Sequence, residues 1–162
     1  MRRALFALVL LTAVPALAKP PIWDRVIDSP KRFKVLKEFQ SLAVLDQETG
    51  LVWMRTAQLD EFSLADAVAN CVDHGLGGRG GWRLPTVYEM RSLVSPDTQA
   101  LPAGHPFTAP DGFYWTSTPS TVANFWWVGD LGNPKSTTAA LDSTSDYAGF
   151  WCVRGGLGGS SD

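Results

Sequence analysis

Two short helical patterns lie side by side in this chain with strand-like segments before and after them, and that order restricts the fold more than any other feature. Ser63 with Asp66, and Thr86 with Glu89, each place a hydroxyl three residues ahead of an acid. The hydroxyl satisfies a free backbone N–H at a helix start, and an acid at the third position can reach back to the cap. Behind Ser63, the residues Leu64, Ala67, Val68 and Cys71 fall at i, i+3, i+4 and i+7, one apolar stripe that puts Cys71 on the core side. Gly75 is a natural stop for this helix. Behind Thr86, the stripe is Val87, Met90 and Val94, and Ser95-Pro96 ends it.

Ahead of the helices, Leu42–Leu45 and Leu51–Met54 flank the turn Asp46–Gly50, which reads as a β-hairpin with glycine at the turn end. After them comes a long loop, 97–111, with Pro102, Pro106 and Pro110. Phe113–Thr116, Asn124–Val128 and Gly149–Val153 are rich in aromatic and β-branched residues and read as strands, with 137–141 as a further one. Hairpin, two helices and a block of strands, with no internal repeat, predict an α+β fold rather than an alternating α/β one.

The N-terminus carries Met1-Arg2-Arg3, an apolar run from Ala4 to Val14, and then Pro15-Ala16-Leu17-Ala18. A basic start, a short apolar stretch and a small-x-small exit form a secretory signal. The run is shorter than the roughly 20 residues of a membrane span, and no Cys follows to take a lipid. The expectation is export to the periplasm or medium with cleavage near Ala18, and no membrane-spanning segment. The alternative is a retained N-terminal anchor. The organisation that follows is a signal over 1–18, an N-terminal arm over 19–38, one domain over 39–155 and a flexible Gly/Ser tail over 156–162. Taking Arg2 and Arg3 from the 14 basic residues leaves 12 against 16 acidic ones, a mature charge of −4. A weakly acidic domain without a basic block is a poor nucleic-acid binder.

Two cysteines in an exported chain, Cys71 and Cys152, read as one disulfide. A pair of free thiols stays open, and so does a metal site, since Cys71 and His74 have a ligand-like spacing.

Most strings that suggest chemistry have a plainer reading. Gly75-x-Gly77-x-x-Gly80 matches a dinucleotide fingerprint, but a helix precedes it where a strand is required, so it reads as a helix-exit loop. The two histidines, His74 and His105, have no nucleophile elbow to serve, and Ser117 reads as a strand-end hydrogen-bonding residue. A carboxylate pair such as Asp60 and Glu61 is the remaining catalytic alternative. No catalytic residue and no resident cofactor is assigned. Asp130, Asn133, Asp142 and Asp146 are oxygen donors in late loops, suited to calcium or to solvated turns, and they lack the spacing of an EF-hand loop. Within Phe125–Val128, alternation puts Trp126 and Val128 on one face and Phe125 and Trp127 on the other. One pair faces the core, and the other is a contact surface or covers a second layer of the same domain. The candidate binding residues are therefore Trp127, Asp130, Asn133, Lys135, Asp142 and Asp146.

Thr49-Gly50-Leu51-Val52-Trp53, the helix through Ala67 and Cys71, Gly81-Trp82-Arg83-Leu84-Pro85-Thr86 with Glu89 and Met90, Tyr114-Trp115-Thr116-Ser117-Thr118, Trp126-Trp127-Val128 and Cys152-Val153-Arg154 occur in the order that resembles the Lcl C-terminal domain family. That family is named for a collagen-like adhesin of Legionella. The resemblance runs from about Val44 to Arg154. It implies a C-type-lectin-like fold, with a hairpin formed from the terminal strands, two helices, a second small sheet, and a disulfide from the first helix to the final strand, here Cys71 to Cys152. It also implies a bacterial exported protein, and its best-understood member binds sulfated polysaccharide on host surfaces. This chain departs from that member in having no collagen-like repeat and an acidic balance. The calcium-and-sugar motifs of animal C-type lectins, Glu-Pro-Asn and Trp-Asn-Asp, are absent. So are the closely placed cysteines of the related formylglycine-generating enzymes. The expected function is a non-catalytic recognition module for a glycan or a cell-envelope or surface protein. The alternatives are a structural subunit of an envelope assembly and an enzyme on the same scaffold.

Overall fold

A computed structural model describes residues 27, 31–108, 111–131 and 138–155. The signal over 1–18, most of the arm and the tail over 156–162 lie outside these residues. The described residues form two five-stranded sheets and two α-helices. The first sheet contains β1 (Phe33–Leu36), β2 (Ala43–Asp46), β3 (Val52–Met54), β5 (Trp82–Arg83) and β10 (Val153–Arg154), in the order β1-β2-β3-β10-β5. The second contains β4 (Gln58–Phe62), β6 (Phe113–Pro119), β7 (Phe125–Asp130), β8 (Thr138–Asp142) and β9 (Ala148–Phe150), in the order β4-β9-β6-β7-β8. Helices α1 (Leu64–Asp73) and α2 (Val87–Ser92) come between the early and late strands. The α+β expectation holds, with one disulfide between Cys71 and Cys152, whose Cα atoms are 5.4 Å apart. The described residues contain no helix long and apolar enough to cross a membrane.

The hairpin β2–β3 forms where the sequence places it. Gly50, at a φ of +73°, closes the turn by donating its N–H to Asp46 O at 2.8 Å. The Asp46 carboxylate is fully buried and is satisfied from several directions. It accepts from the Glu48 N–H at 3.0 Å, from Thr49 Oγ1 at 3.0 Å and from both Nε and Nη2 of Arg32, at 2.9 and 2.8 Å. Arg32 also donates to the carbonyl of Ser92, at the end of α2. This corrects the arm boundary. Residues 33–36 are an edge strand paired with β2, and Arg32 is buried because its guanidinium neutralises the hairpin's own carboxylate.

Both helices start on their caps. Ser63 accepts from the Asp66 N–H at 3.2 Å, and Thr86 with Glu89 completes a reciprocal capping box. Ala67 and Cys71 are buried, whereas Val68 is 43 % exposed, contrary to its place in the predicted stripe. The disulfide pins the Cys71 face to the core, and Val68 lies about 100° round the helix from Ala67. α2 ends at Ser92, two residues short of the Val94 that its apolar spacing includes, and Leu93 is fully buried in place of Val94.

The predicted strand 149–153 is two strands. β9 belongs to the second sheet and β10 to the first, so the chain crosses between sheets at Trp151-Cys152. The crossing is anchored by Met54, whose N–H donates to Cys152 O at 3.0 Å and whose carbonyl accepts from Trp151 Nε1 at 2.7 Å. The Trp151 ring meets Trp53, Phe107 and Tyr114 at centroid distances of 5.5, 4.9 and 5.7 Å. This cluster is the centre of the core. Gly149 allows β9 to sit between its neighbours, because a Cβ there would fall 2.3 Å from Gln58 O.

Candidate functional site

The motif residues that carry the family pattern serve the framework. Arg83 forms a two-pronged pair with Glu89, Nη1 to Oε2 at 2.8 Å and Nη2 to Oε1 at 2.6 Å, and donates further to Leu84 O at 3.1 Å and Gly155 O at 2.8 Å. Glu89 Oε2 also accepts the Thr86 N–H at 2.8 Å. One arginine thus ties the start of α2 to the end of the last strand. Burial alone would push the Glu89 carboxyl up. The hydrogen bonds from Arg83, the Thr86 N–H and the Arg83 charge outweigh it and hold the group below its ordinary value. Trp82 and Leu84 are buried, and the Trp82 Nε1–H donates to Arg79 O at 2.8 Å.

A chain patterned in this way matches the family model of the Lcl C-terminal domain over residues 42–154. The chain belongs to the Lcl C-terminal domain family. The match runs from the residue before β2 to the end of β10, so β1 lies outside it. No curated protein matches the chain.

The predicted contact surface of this family member divides into parts that the fold treats differently. Trp126 and Val128 pack on the core, while Phe125 and Trp127 stay partly exposed, as the alternation predicts for one pair of each kind. Trp127 stands opposite Ala140 and Phe125 opposite Asp142 on β8. The Trp127 carbonyl accepts from the buried Thr116 Oγ1 at 2.6 Å, which holds this part of β7 in register with β6.

The acidic candidates do not form a loose donor set. Asp130 is only 7 % exposed, because β7 continues through it to pair opposite Phe113, so it is a strand residue rather than a loop donor. Asp142 Oδ1 accepts the Thr144 N–H at 2.8 Å and the Thr144 hydroxyl at 2.6 Å, and these bonds hold its carboxyl below the ordinary range. Asp146 Oδ2 accepts the Asp142 N–H at 2.8 Å. Ser143 then binds Asn124 O through its N–H at 2.8 Å and its hydroxyl at 2.9 Å. These residues make the turn after β8 and dock it against the start of β7. Asn133 and Lys135 lie outside the described residues. Among those described, no three His, Cys, Asp or Glu side chains converge as a metal-binding group.

Ser117 and His105, weighed for catalysis, each have a structural contact. The Ser117 hydroxyl donates to Pro85 O at 3.2 Å, a structural hydrogen bond made from within β6 rather than from the strand end its sequence context predicts. His105 packs beside Phe107, with ring centroids 5.9 Å apart. Burial lowers its pKa, against the opposing charge of Asp111.

Proposed function

We propose that this domain is an exported, non-catalytic recognition module that binds a glycan or a cell-envelope or surface protein through the face of the second sheet carrying Phe125 and Trp127. The observation that carries the reading is the half-buried Trp127, outside the core cluster that takes Trp126 and Val128, with its backbone carbonyl held by Thr116 and small Ala140 opposite it on β8. An aromatic face beside hydrogen-bonding groups suits a sugar ring or a protein patch. The fold type is the C-type-lectin-like one that the family resemblance implies. The tie from the first helix to the segment entering the last strand, and the position of β10 beside the β2–β3 hairpin, support it. Export to the periplasm or medium follows from the leader pattern over 1–18. The disulfide supports it, because such bonds persist in oxidising compartments. Calcium has its best residual candidates at Asp142 and Asp146, both already engaged in their turn.

The test is a glycan array and an envelope pull-down with the mature chain and Trp127→Ala. Loss of the captured ligand with an unchanged thermal midpoint supports the assignment, and full retention rejects it. The rival reading, a structural subunit of an envelope assembly, is favoured by the outward face of α1, where Val68 and Val72 are 43 % and 61 % exposed. Co-purification of a fixed partner that survives Trp127→Ala but not Val72→Asp would favour that rival.

A further inference from the structure

The long proline-containing loop after α2 is held at its two ends by different means. At its start, the Ser95 N–H donates to Ala100 O at 2.8 Å and the Gln99 N–H to Ser95 O at 2.7 Å, so this end closes on itself. At its far end, Arg55 grips the chain twice. Its Nε donates to Pro106 O at 3.2 Å, and its carbonyl accepts the Thr108 N–H at 2.9 Å, where Thr108 also bridges to Thr56. Phe107, between these bonds, is buried and meets Phe33 and Trp151 at centroid distances of 5.0 and 4.9 Å. The turn Leu101–His105 lies between the two fixed ends. The His105 N–H closes it by donating to Pro102 O at 3.2 Å, with Gly104 at a φ of +78°. Leu101 packs against the core, and the His105 ring lies beside Phe107, with centroids 5.9 Å and planes 30° apart.

The seat of that ring suits only one of its two protonation states. Nδ1 of His105 is buried and has no hydrogen-bond partner. A neutral imidazole can carry its proton on Nε2, so no donor is stranded. The cation carries an N–H on both nitrogens, and protonation therefore puts a buried donor where nothing accepts it. Three charged groups surround this seat. Asp111 precedes β6, Arg55 comes from the connection between β3 and β4, and Arg32 lies over the Phe33 ring, 4.8 Å from its centroid. Neither arginine can accept a hydrogen bond. Among the described residues, Asp111 makes no ion pair with the ring. The Tyr114 hydroxyl donates to Asp111 O at 3.4 Å. The Asp111 charge favours a protonated His105, and burial outweighs it.

We propose that the turn Leu101–His105 is an acid-released strap, which neutral His105 keeps closed beside Phe107 and which protonation of His105 lifts, uncovering the Phe107 ring. It goes beyond the recognition reading and needs neither Trp127 nor a ligand. The experiment follows amide exchange of the mature chain by NMR between about pH 8 and about pH 5, with each rate divided by that of an unstructured peptide at the same pH. The His105 N–H should lose protection as the pH falls through the ordinary histidine value of 6.5, where the released turn takes up its proton. The loss should level off below the lowered value of the closed turn, and the His105 ring signals should titrate below 6.5 in the same samples. His105→Phe and His105→Gln keep a neutral side chain and should hold the protection at this position nearly constant, and either serves if the other fails to fold. Asp111→Asn should deepen the loss, because its carboxylate partly offsets the cost of the cation in the closed turn. The Met54 N–H, bonded to Cys152 O at 3.0 Å, reports opening of the whole molecule and should stay the better protected throughout. Protection at His105 that does not change with pH overturns the proposal, and so does an equal loss in the neutral variants. Protection at His105 equal to that at Met54 also overturns it, since the turn would then open only with the rest of the fold.

Discussion

Glu89 and Asp142 are both carboxylates held below their ordinary pKa, yet they do different work. Glu89 is buried and joins three elements, because Arg83 carries its charge to β5 and to the carbonyl of Gly155 while its own oxygen caps α2. Asp142 is bonded mainly to Thr144, two residues away, and shapes one turn. A lowered pKa marks a favourable environment for charge. How far that environment reaches through the structure decides what its loss costs.

The seam around α1, α2 and β10 should accordingly be far more sensitive than the turn after β8. Replacing Cys71 and Cys152 together by Ala should have the largest effect. The bond spans 81 residues of sequence, and chain-entropy arguments assign such a loop about 4 kcal/mol. Urea unfolding of the mature protein measures it, and a loss near zero would mean that the seam does not depend on its covalent tie. Glu89→Ala should come next, at about 3 kcal/mol, since it strands Arg83 and leaves the Thr86 N–H without its partner. Arg83→Met should approach the same value. If either variant unfolds like the parent, the pair contributes only geometry.

Acid sharpens the contrast without changing a partner's position. The Glu89 pKa lies below its ordinary value of 4.5 in the folded state. Its stabilisation is therefore fully present above the unfolded value and is lost as pH falls through the folded one. The stability gap between the parent and Glu89→Gln should be widest above pH 4.5 and close on acidification. A gap that stays constant to low pH would show that the carboxylate charge is not what the seam uses. The smallest effect belongs to Asp142→Ala. It should leave the thermal midpoint close to the parent's while speeding amide exchange at Thr144, whose N–H loses its acceptor. A large drop in midpoint would make this turn part of the framework.

Elements whose cause is local were legible in the sequence. Ser63 and Thr86 cap as their spacing requires, Gly50 closes the hairpin, and period-two alternation separates Trp126 and Val128 from Phe125 and Trp127. These features depend on backbone groups within a few residues, which a pattern can report. The single disulfide was legible from cysteine number together with the N-terminal pattern that reads as a leader, and the Trp-Arg-Leu-Pro-Thr segment from family resemblance. What one sequence could not decide was set by residues far apart along the chain. The split of 149–153 between two sheets depends on Met54 and Trp151, the burial of Asp130 on strand pairing with Phe113, and the strand identity of 33–36 on Arg32 reaching Asp46. The packing of Phe107 on Phe33 and Trp151 is of the same kind. Local propensity carries no information on which distant groups will satisfy a buried charge or a backbone N–H. Only the packed structure brings those partners within hydrogen-bonding distance.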